Sequence, residues 1–171
     1  MVEVFVSGQI YSASGFADPK LCVAWRLQLG GGWRVVEGPS EGQTQVDIAK
    51  AFSKNYFSYP MDIHLATRTL QDWPRLNFEV WHHDQYGRQE IYGYGSVFLP
   101  NLPGMHEVSC NFWRPKGSLR DELKQKFIGG GLQVTNPDHS AETPERMMVN
   151  GTLQLKLNII TRHFDRFGIA A

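Results

Sequence analysis

DWPRLNFEVWHHDQYGRQEIYGYGSVFLP, residues 72–100, reads as a strand, a polar loop and a second strand. Leu76, Phe78, Val80 and His82 fall on one face and Asn77, Glu79, Trp81 and His83 on the other, the period of two that a pleated strand imposes. The first of these is the core face. Tyr86-Gly87 marks a turn within the loop Asp84 to Glu90, and the alternation resumes with Tyr92, Tyr94, Ser96 and Phe98 against Ile91, Gly93, Gly95, Val97 and Leu99. Pro74 and Pro100 bound the pair, where a residue without an amide proton does least harm to a ladder.

The same period runs outward from this hairpin. Towards the N-terminus it predicts strands over 2–10, 21–29, 33–36, 43–48 and 61–67, with a loop from Ser12 to Pro19 and the cleanest alternation at Leu21, Val23, Trp25, Leu27 and Leu29. Towards the C-terminus it predicts strands over 105–113 and 153–159. Between those two the period changes. Ser118 is a helix cap, Asp121 suits a helix N-terminus, Leu119, Leu123 and Phe127 recur every four residues, and Gly129 to Gly131 end the segment. Residues 135–146 form a polar, proline-containing loop, and 162–171 a short tail. About eight strands with one short helix before the last of them predict an all-β chain, an antiparallel β-sandwich rather than an α/β fold. A length of 171 residues suits one domain, 1–171.

Composition narrows the function. Lys plus Arg and Asp plus Glu each total 17, so no net field draws the chain to nucleic acid. Cys22 and Cys110, without CxxC spacing, read as buried reduced thiols. The opening MVEVFVSGQI is unlike a signal peptide and implies a cytosolic protein, and no apolar run reaches the roughly 18 residues of a membrane helix. Asn150-Gly151-Thr152 matches a glycosylation sequon, but Asn-Gly before a strand reads as a tight turn.

No catalytic motif is present: no Gly-x-Ser-x-Gly elbow, no phosphate loop ending in Lys-Ser or Lys-Thr, no HExxH. The chain is not expected to be an enzyme, and no cofactor is expected. His82 and His83 cannot share a metal while both lie on a strand, because neighbours point to opposite faces. Most of the five tryptophans belong in the core, Trp25 most clearly, and Trp81 lies on the opposite face from Val80.

Several motifs in fixed order resemble one family. Ser14 to Pro19, Phe78 to Gly87 and Tyr92 to Gly95 are similar to loop and strand signatures of C2-type sandwiches. GQI (8–10), EGQTQVD (41–47), DWPRLNFEVW (72–81), GYG (93–95), WRP (113–115) and RHFDRFG (162–168) resemble the B9 domain proteins of cilia. The resemblance implies a C2-like fold and a non-enzymatic structural subunit of the Meckel syndrome (tectonic-like) complex at the transition zone and basal body. There it would act in ciliogenesis and the ciliary diffusion barrier. The implied partners are other B9 domain proteins and transmembrane subunits of that complex.

The comparison with C2 domains also bears on calcium, a hard cation that takes about six to eight oxygen ligands. Asp18, Asp84 and Glu90 stand at degenerate calcium-loop positions, too few for a cage, so no calcium site is expected. For partner binding the tail is the candidate, because Arg162, Phe164, Arg166 and Phe167 place interface-enriched residue types after the last strand. Sealing the end of the sandwich is an equal alternative for the two phenylalanines. A second functional class is a calcium-independent module that contacts anionic phospholipid weakly through Arg26, Arg34, Lys54, Lys116, Lys124 and Lys126, each cation contributing about 1 kcal/mol.

Overall fold

The computed structural model describes residues 1–50, 54–115 and 146–167, the side chains of 146, 147, 166 and 167 excepted. Among these residues ten strands run in chain order: β1 (Val2–Ser14), β2 (Lys20–Gln28), β3 (Trp33–Glu37), β4 (Glu41–Gln43), β5 (Asp47–Ile48), β6 (Lys54–Thr67), β7 (Arg75–His83), β8 (Gln89–Phe98), β9 (Gly104–Pro115) and β10 (Arg146–Arg162). The fold is all-β as expected. No α-helix occurs among the described residues, whose one helical element is a 3-10 turn at Phe164–Phe167. The helix expected from Ser118, the 135–146 loop except its last residue, and Lys116, Lys124 and Lys126 lie outside the described residues.

All ladders are antiparallel and follow the path β3-β6-β1-β10-β9-β8-β7-β2-β4, with β5 also on β2. The path bends at one joint. β8 and β9 share only two register pairs, Tyr94 with Trp113 and Gly95 with Phe112, so the strands on either side fold over to face one another. One core cluster therefore takes Val4, Val6 and Ile10 from β1, Ile63 and Leu65 from β6 and Leu155 and Leu157 from β10. Facing them are Val23 and Trp25 of β2 and Leu76, Phe78 and Val80 of β7. Each such side chain gains about 1.5–3 kcal/mol from burial, which is what closes the sandwich.

Strand faces follow the alternation, and departures occur where an extra residue interrupts it. In β7 the expected face is buried, Leu76, Phe78 and Val80 being 0–1% exposed. In β8 the inward face is Gly95 and Val97, continued by Leu99 just past the strand, which leaves Phe98 exposed. Gly95 is needed opposite Phe78, since a Cβ there would sit 2.6 Å from the Cys110 sulfur. β1 continues past the expected loop start at Ser12 to Ser14, and a bulge at Tyr11 shifts its parity, so that Ile10 and then Ala13 face the core. The expected 43–48 strand divides into β4 and β5. Between them Thr44 accepts the Val23 amide on its hydroxyl at 3.0 Å and donates its own amide to the Val23 carbonyl at 2.8 Å.

The Asn150-Gly151 turn is a correction. Both residues lie inside β10, at a register shift between Val149 and Thr152, not at a hairpin end. Gly151 makes room for the Phe16 ring, with which a Cβ would collide, and Phe16 packs edge-on against Tyr92 and Phe112. The long-range contact, not the dipeptide's turn preference, sets the conformation.

Both cysteines are free and buried. Burial raises both thiols, against opposing hydrogen bonds from Gln43 to Cys22 and from the Ser96 amide to Cys110, and it pushes Cys110 up to about 12. Neither thiol is therefore a thiolate near neutral pH. Iodoacetamide at pH 8 is expected to label neither in the native protein and both in denaturant, as read by intact-mass spectrometry. Fast native labelling of either would contradict this packing.

Candidate functional site

The loops at the β7–β8 end converge on His82. His82 shares the parity of Leu76, Phe78 and Val80 but lies at the end of the strand, where burial is only partial. Its register partner on β8 is Glu90, and the β1–β2 loop brings Asp18 in on the other edge, next to β2, whose Leu21 is the register partner of His82. His82 Nδ1 lies 3.2 Å from Asp18 Oδ2 and Nε2 lies 3.5 Å from Glu90 Oε2. A neutral imidazole donates one hydrogen bond and an imidazolium two, so the protonated ring would satisfy both acids at once. Tyr92 packs edge-on against His82 and accepts the Ala17 amide on its hydroxyl at 3.3 Å, tying the β1–β2 loop to β8.

The three candidate calcium-loop acids are all engaged, two of them with His82 and the third with its own turn. Asp18 turns Oδ2 to His82 and accepts the Lys20 amide on Oδ1 at 3.0 Å. Glu90 faces the far ring nitrogen. Asp84 instead closes the hairpin turn: Oδ1 accepts the amides of Tyr86 and Arg88, each at 2.8 Å, and Oδ2 takes Arg88 Nε at 2.7 Å. Desolvation alone would raise the Asp84 carboxyl, but these donors and the guanidinium charge together hold it below the usual range. Among the described residues no three His, Cys, Asp or Glu side chains are grouped to hold a metal. His83 points away from His82, as alternation requires, and its buried Nδ1 has no hydrogen-bond partner among the described residues.

The tail separates into unlike parts. Arg162 is mostly exposed and reaches Glu3 at 3.6 Å, its register partner on β1. His163 adopts a positive φ of 64°, which ends β10 and swings Phe164 back under the sandwich. Phe164 is 5% exposed and packs edge-on against Trp73, which in turn meets Trp33 at 5.0 Å. Arg166 and Phe167 belong to the 3-10 turn, and their side chains lie outside the described residues.

One local feature lies beyond the reach of sequence reading. The sequence presents His82 as an inward-parity strand residue that cannot share a metal with His83, not as the group that stands between Asp18 and Glu90. Its parity points inward; the approach of Asp18 from 64 residues away carries no local signal.

Comparison with known proteins gives a consistent result. A family model described as "Ciliary basal body-associated, B9 protein" matches residues 4–160. The chain is 43% identical over 173 residues to B9 domain-containing protein 2 of Danio rerio, covering 99% of each. It is 30% identical over 154 residues to the Tectonic-like complex member MKS1 of Rattus norvegicus, covering 81% of this chain and 27% of that larger protein. Among solved structures it is similar to a C2 domain of plant Extended Synaptotagmin 1, with a TM-score of 0.52 and 13% identity over 91% of this chain and 92% of that one. At that identity the likeness concerns fold alone, and it makes the sandwich C2-like.

Proposed function

This chain belongs to the B9 family of ciliary basal body-associated proteins, and from that premise we propose that it is a non-enzymatic structural subunit of the Meckel syndrome (tectonic-like) complex. It works at the ciliary transition zone, in ciliogenesis and the diffusion barrier, by binding other B9 domain proteins and, with them, the transmembrane subunits. The observation that carries the reading is the pair of matches, one along the whole chain to a B9 domain protein and one to part of a larger Tectonic-like complex member. A domain used both alone and inside a larger subunit suits assembly through like domains.

The site chemistry supports a binding role. His82 is committed to two acids and Asp84 to a turn, so the polar loops brace the sandwich. Among the described residues β3 and β4 end the strand path, and both are short and carry charge, Arg34 and Glu37 on one and Glu41 on the other. Such edges resist indiscriminate strand addition, which favours docking through side chains over sheet extension. Arg162 is an exposed candidate for that docking.

The test is size-exclusion chromatography with light scattering on the chain alone and mixed with the other B9 domain proteins. A single heteromeric peak is expected. Separate peaks at micromolar concentrations would overturn the proposal. A second reading has its own observation: Lys156 Nζ sits 3.8 Å from the Tyr11 ring centroid and Lys54 Nζ 5.8 Å from that of Tyr56, and the two tyrosines touch edge-on. This basic aromatic patch suits weak, calcium-independent contact with anionic phospholipid. Flotation of the isolated chain with phosphatidylserine vesicles, lost in Lys54→Glu/Lys156→Glu, would favour it.

A further inference from the structure

We propose that the outer face of β2, β4 and β7 holds a receptor groove for an arginine side chain of a partner protein. Two outward rows cross these strands in register, Asn77–Arg26–Glu41 and Glu79–Ala24–Gln43, while Trp25 and Phe78 between them turn to the core. Ala24 contributes only a methyl group amid longer side chains, and a groove of about 420 Å³ opens there.

Two acceptors in this groove lack donors among the described residues. Glu79 is a half-buried carboxylate with no hydrogen bond or ion pair among the described residues. Asn77 is 8% exposed, and its buried Oδ1 accepts no hydrogen bond among the described residues. The orientation of that amide is set by its neighbours. Arg75 Nε, which can only donate, gives a 2.6 Å hydrogen bond to Gln28 Oε1, and the same oxygen accepts Asn77 Nδ2 at 2.9 Å. Asn77 therefore presents its amino group towards the Gln28–Arg75 row and its oxygen to the other side, where Ala24 and Glu79 lie. Buried acceptors without donors are uncommon in folded proteins, and this one stands in the same groove as an uncompensated carboxylate.

The complementary ligand carries several N–H donors and a positive charge. A guanidinium supplies five donors in a planar fork, enough for a carboxylate and an amide oxygen together, and it is more weakly hydrated than an ammonium. An anionic ligand is excluded by Glu79 and Glu41. Arg26 does not neutralise Glu79, because its Nε is turned to Glu41 at 3.1 Å on the far wall. The groove is independent of which complex the chain joins.

The experiment is a ¹⁵N NMR titration of the full chain with acetyl-Gly-Arg-Gly-amide. The peptide with citrulline in place of arginine tests charge at constant shape, and the peptide with lysine tests the fork. The arginine peptide is expected to move the amide signals of Ala24, Arg26, Gln43, Asn77 and Glu79. Binding should weaken at least about tenfold with citrulline and with Glu79→Gln, as expected for loss of a charge-assisted bidentate pair. The citrulline arm uses the unmodified protein and so does not depend on how a variant folds. No shifts, shifts centred elsewhere, equal binding of citrulline or lysine, or undiminished binding by Glu79→Gln would each overturn the assignment.

Discussion

Gly8→Ala is expected to unfold the protein or to lower its stability by at least about 3 kcal/mol. Gly8 lies mid-way along β1, paired to Leu157 of β10 on one side and Met61 of β6 on the other. An alanine Cβ would collide with the Lys156 carbonyl oxygen and stand 2.9 Å from Leu157 Cα. Both obstacles are backbone, so no side-chain rotation relieves them. β1 cannot slide away either, because it is laddered on both edges and a one-residue slip would turn Val4, Val6 and Ile10 out of the core. Urea denaturation followed by circular dichroism measures the loss. A change below about 1 kcal/mol would mean that β1 and β10 do not approach as described.

Phe164→Ala is expected to cost about 3 kcal/mol, the usual range for emptying a buried phenylalanine site. The ring is 5% exposed and closes one end of the sandwich against Trp73, whose indole is itself fixed by a 2.8 Å hydrogen bond to the Leu99 carbonyl. Arg162→Ala, at the end of the strand just before it, should change stability by less than about 0.5 kcal/mol, since its guanidinium is exposed and its pair with Glu3 is at the surface. Thermal or urea unfolding of the two variants checks the contrast. Equal, small effects would show that Phe164 is free to dock a partner. The contrast also governs how partner capture is interpreted: lost capture by Arg162→Ala reports on an interface, whereas lost capture by Phe164→Ala must first be separated from lost folding.

Much of the fold was legible because strand faces are a local property. Leu76, Phe78 and Val80, or Leu21, Val23 and Trp25, declare their buried side through neighbours two residues away, and no knowledge of the partner strand is required. The misread places share one cause. At Tyr11 one extra residue and at Asn150-Gly151 two are accommodated by pairing with a distant strand, and the local pattern there names a loop or a turn. The candidate site divides the same way. Asp84 capping its own turn through Tyr86 and Arg88 lies within four residues, inside the reach of sequence reasoning. Asp18 meeting His82, and Gln28 steering the Asn77 amide, join residues 64 and 49 positions apart.

The sequence by itself determined the all-β class, the buried face of each main strand and, through ordered motifs along nearly the whole chain, membership in the B9 family. Only the tertiary structure decided where the sheet bends between β8 and β9, that Phe164 is a plug, that His82 lies between two acids, one from the β1–β2 loop and one from β8, and that Asn77 Oδ1 and Glu79 line one groove with no hydrogen bond of their own among the described residues. Periodicity records which side of a strand faces oil and which faces water. It holds no record of which strands become neighbours, and every one of those decisions is made across strands.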